Sequence, residues 1–178
     1  METQLLEAVA SNNIDIVRQI IDGNRILDSF EDMIVLASRL GHLDILKLFY
    51  NSGKLNSMNI NEALCGACSY GRLDVVKYLI EKGASVHCKC DKPMMCASGR
   101  GHVEVVKILA ENGVDIHIYD EEALIIAVKY GHLDMVKYLV ENGADIHVND
   151  DNPLEEAMIE QHHEIIEYLI TKGSTINE

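Results

Sequence analysis

A period of 30 residues constrains this chain more than any other feature. Residues 131–147 read GHLDMVKYLVENGADIH, 101–117 read GHVEVVKILAENGVDIH, and 71–87 read GRLDVVKYLIEKGASVH. Looser copies stand at 41–53, 161–173 and 12–23. Gly23, Gly53, Gly83, Gly113, Gly143 and Gly173 keep the spacing, as do Ala37, Ala67, Ala97, Ala127 and Ala157, with Ala8 one residue out of step. Self-similarity at a fixed period of about 20–50 residues marks a repeat architecture, in which one supersecondary unit is stacked many times. Six units are expected, at about 1–27, 28–57, 58–87, 88–117, 118–147 and 148–178, within a single domain spanning 1–178.

The fifth unit shows the physics. Leu133, Val136, Leu139 and Val140 follow the spacing of one apolar helical stripe. Asp134, Lys137 and Glu141 fall on the opposite side, where charges three or four apart interact weakly and favourably. Gly143 follows the helix at a place suited to left-handed backbone, and Gly131 separates this helix from the preceding one. Ala127 and its counterparts are small, as close helix packing requires. One such unit cannot cover its own stripe, so stacking must supply the core. The least regular stretch is Asn51–Asn56, where Leu55 comes one place early and an irregular loop is expected.

The unit resembles an ankyrin repeat. Lys92-Pro93-Met94-Met95-Cys96-Ala97 and Asn152-Pro153-Leu154-Glu155-Glu156-Ala157 stand where that family has T-P-L-H-x-A, and the Gly-His pairs and Gly143-Ala144-Asp145-Ile146 complete the pattern. The 30-residue dialect is similar to the ankyrin sets of giant amoebal viruses. The resemblance implies an all-α solenoid of six stacked helix-turn-helix units. It departs from the family in two ways. The period is shorter than the usual 33 or so, which implies shortened β-turn fingers and a shallow groove. The Thr and His of T-P-L-H are absent, with Val35, Cys65, Met95, Ile125 and Glu155 in the His place. The first unit starts directly on a helix and reads as an N-terminal cap. The last, with Glu155, Glu156, Glu160, Glu164 and Glu167, reads as a polar C-terminal cap.

Charge is uneven. Of the net −14, residues 1–110 contribute −1 and residues 111–178 contribute −13. The acidic block serves solubility or docks a basic partner. Nucleic acid is disfavoured as a partner, because neutralising phosphates supplies most of that affinity. Met1–Ala10 lacks the basic start of a signal peptide, and no apolar run approaches the roughly 20 residues of a membrane span. Five cysteines without scaffold-like spacing suit a reducing compartment. The expected location is cytoplasmic, the host cytoplasm if the chain is viral, and a monomer is expected.

No P-loop, G-x-S-x-G or H-E-x-x-H motif is present, and neither enzymatic activity nor a cofactor is expected. The histidines are periodic: His42, His102, His132 and His162 follow the turn glycine, while His87, His117 and His147 close the loops. Stacked helices lie about 8–10 Å apart, whereas ligands of one zinc ion lie within about 4 Å of each other, so a histidine ladder cannot share a metal. Cys65 and Cys68 take places held by Ile125 and Val128 and read as core residues. Cys88 and Cys90 in the fourth finger are the remaining candidates for zinc.

Function then follows the resemblance: a protein-binding module using its concave groove, or alternatively a structural or self-associating assembly element. In the family, the two residues before the inter-helix Gly-His face the groove. Here these are Arg39-Leu40, Ser69-Tyr70, Gly99-Arg100, Lys129-Tyr130 and Ile159-Glu160. The partner-binding set is expected to be Arg39, Leu40, Ser69, Tyr70, Arg100, Lys129 and Tyr130, with the finger residues Phe30, Lys92 and Tyr119 on the rim. Arg39 to Lys129 would span roughly 30 Å at about 10 Å per repeat. A protein with an acidic or phosphorylated segment is the expected partner.

Overall fold

The computed structural model describes residues 2–23 and 30–174, so the expected boundary between the first two repeats lies outside the described residues. Twelve helices and no strand are found among them. The chain divides into two compact units, Met1–Cys88 and Lys89–Glu178. The first holds α1 (Glu2–Ala10), α2 (Ile14–Asp22), α3 (Phe30–Leu40), α4 (Leu43–Asn51), α5 (Ile60–Ser69) and α6 (Leu73–Glu81). The second holds α7 (Cys88–Ser98, entered from the first unit's last residue), α8 (Val103–Glu111), α9 (Ile118–Lys129), α10 (Leu133–Glu141), α11 (Val148–Ile159) and α12 (His163–Lys172).

In the first unit α1, α3 and α5 pack as one row, with α2 and α4 packed as a second. In the second unit α9 and α11 form one row, and α10 packs on both α8 and α12. The architecture is all-α and matches the helix-turn-helix units expected from the period.

The periodic alanines are the floor of each layer. Ala37, Ala67, Ala97, Ala127 and Ala157 are all 0% exposed. Each also ends its helix the same way: its carbonyl accepts from the residue five positions on, as in His132 N to Ala127 O, 2.9 Å. That closure requires left-handed backbone at the intervening residue. Gly131 supplies it at φ 74°, and a Cβ there would in addition lie 2.7 Å from the His162 ring. Asn12 and Gln161 adopt the same conformation in the first and last repeats, at φ 54° and 60°.

The buried set in α10 is Met135, Val136 and Leu139, while Leu133 and Val140 are half-buried. The stripe is therefore turned slightly from the expected one. Cys65 and Cys68 are core residues, 3% and 0% exposed. The Asn51–Asn56 loop is irregular but tied down. Asn59 Oδ1 accepts from Asn56 N at 2.9 Å, Asn59 Nδ2 donates to Lys54 O at 2.8 Å, and Leu55 is buried.

The last repeat is less polar than expected. Beside its glutamates it exposes Met158, Ile159 and Ile170, at 42%, 67% and 44%. The shortened fingers hold a further departure. Lys89, Cys90 and Asp91, and again Tyr119, Asp120 and Glu121, are consecutive left-handed residues, none of them glycine. Asn149 and Asp151 carry positive φ in the sixth repeat. Such backbone costs about 1–2 kcal/mol per residue, and side-chain bonds hold it. His117 Nδ1 lies 3.0 Å from Glu121 Oε1, and His147 Nδ1 lies 2.6 Å from Asp151 Oδ1.

Candidate protein-interaction surface

The expected binding residues sit at the C-terminal ends of the first helices, where the helix has turned out of the core and the inter-helix turn begins. In the first unit Arg39 is exposed, Ser69 is half-buried, and Leu40 and Tyr70 are 37% and 47% exposed. The Arg39 guanidinium lies 6.0 Å from the Tyr70 ring centroid, a cation–π contact between neighbouring repeats. Gly66 leaves room for the Arg39 stem, since a Cβ there would stand 3.3 Å from Arg39 Cγ. The Arg39 carbonyl accepts from Arg72 Nε at 2.8 Å.

The second unit repeats the theme. Tyr130 is 60% exposed, and its ring lies over Gly99, where a Cβ would come 3.6 Å from Tyr130 Cδ2 and 2.9 Å from Ile126 Cγ2. The Gly99 carbonyl bonds His132 Nε2 at 3.1 Å, and the Lys129 carbonyl bonds His162 Nε2 at 3.0 Å. A carbonyl only accepts, so both histidines carry a proton on Nε2. Arg72 does the same work in the first unit with a guanidinium. These residues stand at the N-terminus of the second helix without capping it; their side chains reach back one repeat instead. His132 and His162 are therefore cross-repeat ties.

Lys129 differs from its expected role as an open cation. Its Nζ is 3.3 Å from Glu156 Oε1, and that hydrogen bond, with the charge of the same carboxylate, holds the ammonium above its ordinary range. Arg100 is exposed and borders an open depression of about 360 Å³ shared with Gly131, His132, Asp134 and Glu164. Two carboxylates beside one guanidinium make that depression mixed in sign.

Of the rim residues, Lys92 and Tyr119 are exposed. The Tyr119 phenol is pushed up, by desolvation first and then by Cys90 and Asp91 beside it. Phe30 is not a rim residue. It is 9% exposed, packs edge-on against Phe49 with ring centroids 6.0 Å apart, and is covered by the Lys54 ammonium at 4.8 Å. Its large apolar ring gains more from the core than from the finger.

Two features escaped the reading by period. Lysines of one repeat lie over tyrosines of the next, Lys107 on Tyr138 at 5.6 Å and Lys137 on Tyr168 at 6.0 Å, a relation visible in sequence only as Lys and Tyr 31 positions apart. Glu121, counted in the acidic block, is buried, and its Oε1 accepts from Asp145 N at 3.1 Å. Asn61 Oδ1 accepts from Ser85 N in the same way. Among the described residues no group of three or more His, Cys, Asp or Glu could hold a metal ion, and no helix is long and apolar enough to cross a membrane. Cys88 faces Cys65 in the first unit, while Cys90 is exposed.

The repeat grammar, the alanine floor and the cross-repeat ties agree with comparison to known families. Residues 5–90, 33–120 and 94–178 match the family described as ankyrin repeats (3 copies). The chain belongs to the ankyrin-repeat family. Ankyrin repeats are generally protein–protein interaction modules and typically non-catalytic. A search of curated proteins found no match.

Proposed function

We propose that this chain binds a partner protein through the exposed ends of its first helices, with Arg39, Leu40, Ser69, Tyr70, Arg100, Lys129 and Tyr130 as the contact set and Lys92 and Tyr119 at the margin. The chain has no chemistry of its own in this reading and works in the cytoplasm, that of the host if its amoebal-virus likeness reflects its source. One observation carries it. Arg39 with Tyr70, and Tyr130 over Gly99, present Arg and Tyr on helix ends whose backbone is bonded across repeats. Arg and Tyr are the residue types that dominate binding hot spots, and bonded helix ends lose little freedom on binding. The partner segment is acidic or phosphorylated, matched to Arg39 and Arg100. The array acts as one domain, supported by the match at 33–120, which runs through residue 88 without a break.

The test uses immobilised acidic and phosphoserine peptides as probes. Wild type should bind at least about tenfold tighter than the variant Arg39→Glu, Arg100→Glu, Lys129→Glu, and Tyr70→Ala with Tyr130→Ala should weaken binding comparably. Melting temperature serves as the folding control. Equal binding by wild type and the charge-reversed variant would sink the proposal. A second reading, self-association, is favoured by Ile159 and Ile170, 67% and 44% exposed. Light scattering across a concentration series separates the two, since a monomer throughout leaves only the first.

A further inference from the structure

We propose that Cys65 and Cys88 form a peroxide-responsive dithiol that closes to an intramolecular disulfide. Their sulfurs lie 3.7 Å apart, and the residues are 3% and 9% exposed. The contact does not depend on the sulfurs to hold it. Ser85 N donates to Asn61 Oδ1 at 2.8 Å, and Cys88 N donates to Ser85 O at 3.2 Å. The loop carrying Cys88 is thereby tied to α5 one turn before Cys65. The Cys88 thiol itself points at the Asn61 carbonyl, 3.8 Å away.

Packing alone does not explain sulfur at both places. The positions equivalent to Cys65 hold Val35, Met95, Ile125 and Glu155, and those equivalent to Cys88 hold Asp28, Met58, Ile118 and Val148. No other repeat carries a cysteine at either place, and here two thiols face each other across a repeat boundary. Bonding requires the sulfurs to close from 3.7 Å to about 2.05 Å.

Hydrogen peroxide is the oxidant. The Cys88 thiolate, the more open of the two, attacks one peroxide oxygen. The O–O bond breaks, and the departing hydroxide takes a proton to leave as water, giving a sulfenic acid. The Cys65 sulfur then attacks the Cys88 sulfur, the S–O bond breaks, the S–S bond forms, and a second water leaves with the Cys65 proton. Two thiols and one peroxide become one disulfide and two waters. The neighbouring thiol captures the sulfenic acid before further oxidation, and the bridge closes the loop from 65 to 88.

Reduced wild type, Cys65→Val and Cys88→Val are treated with hydrogen peroxide, denatured in N-ethylmaleimide, digested with trypsin and weighed. Wild type should give peptides 55–72 and 83–89 joined, two hydrogens lighter than their sum and separable by dithiothreitol. The join should vanish in both variants, and Cys65→Val decides against Cys68, which shares the first peptide. Oxidised wild type should melt about 5 °C or more above its reduced form, and neither variant should shift. Full labelling of Cys65 and Cys88 in oxidised wild type overturns the proposal. So does Cys88 sulfinic acid without a cross-link, or a join that persists in Cys65→Val.

Discussion

His162 Nε2 lies 3.0 Å from the carbonyl oxygen of Lys129, so the last repeat is bonded to the backbone of a residue proposed for the binding surface. His132 holds Gly99 and Arg72 holds Arg39 in the same way, at 3.1 and 2.8 Å. The surface side chains thus project from backbone that the next repeat fixes in place.

Because Arg72 already replaces histidine in one repeat, His132→Arg should be nearly neutral. His132→Leu should lose about 1–2 kcal/mol, the worth of one hydrogen bond with its partner left unmet. Urea unfolding of the two variants side by side checks this. An arginine variant as unstable as the leucine variant would show that the ring's packing, and not its donor, matters.

Glu121→Ala should cost about 1–3 kcal/mol, because Asp145 N loses its acceptor beside a half-buried loop. Glu121→Gln keeps a carbonyl oxygen for Asp145 N and should lose less than half as much. Hydrogen exchange at the Asp145 amide is the direct readout: fast in the alanine variant, close to wild type in the glutamine variant.

Ala127→Arg places a charge at a position with 0% exposure and overfills a tight layer, for a loss of about 3–5 kcal/mol. Exchange should rise first in α9 and its packing neighbours α10 and α11. Wild-type melting would mean that the alanine row is not the floor of the core.

Alkaline pH should destabilise the fold through Tyr78 and Tyr168. Burial raises both phenols above their ordinary value of 10.0, against the pull of the Lys82 charge at Tyr78. A raised folded-state value means stability is complete below pH 10.0 and falls as pH rises past it toward the folded value. Lys82, Lys107 and Lys129, raised by their carboxylate partners, lose charge in the same direction. The double variant Tyr78→Phe, Tyr168→Phe should flatten the fall in urea midpoint above pH 10.0; an unchanged slope would assign it elsewhere.

The helix pairs, the alanine floor and the core place of Cys65 and Cys68 were legible because each is written several times in the same register. The fingers were not. Left-handed backbone is usually announced by glycine or asparagine, and Lys89, Cys90, Asp91, Tyr119, Asp120 and Glu121 announce nothing of the kind. Net charge could not separate Glu121, turned inward onto Asp145 N, from acids in water. Phe30 looked like a finger residue by position, but position does not reveal Phe49 beside it. The candidate surface was legible as a set of residues. The clasp of Lys129 by Glu156 was not, since it joins residues 27 apart that no local pattern relates.

The hand of the fingers bears on how such a chain can change its length. A right-handed helix cannot grow through three residues of the opposite hand, so the backbone restarts at the fingers of repeats four and five. His117 and His147, which precede two of them, have nearly identical dihedrals, φ −101° with ψ 1° and φ −100° with ψ 5°. Excising residues 118–147 would join His117 to Val148 through a residue whose dihedrals already match those of His147. Gene duplication or loss in steps of one finger-to-finger segment is then silent at the junction, and selection acts only on which side chains meet across it.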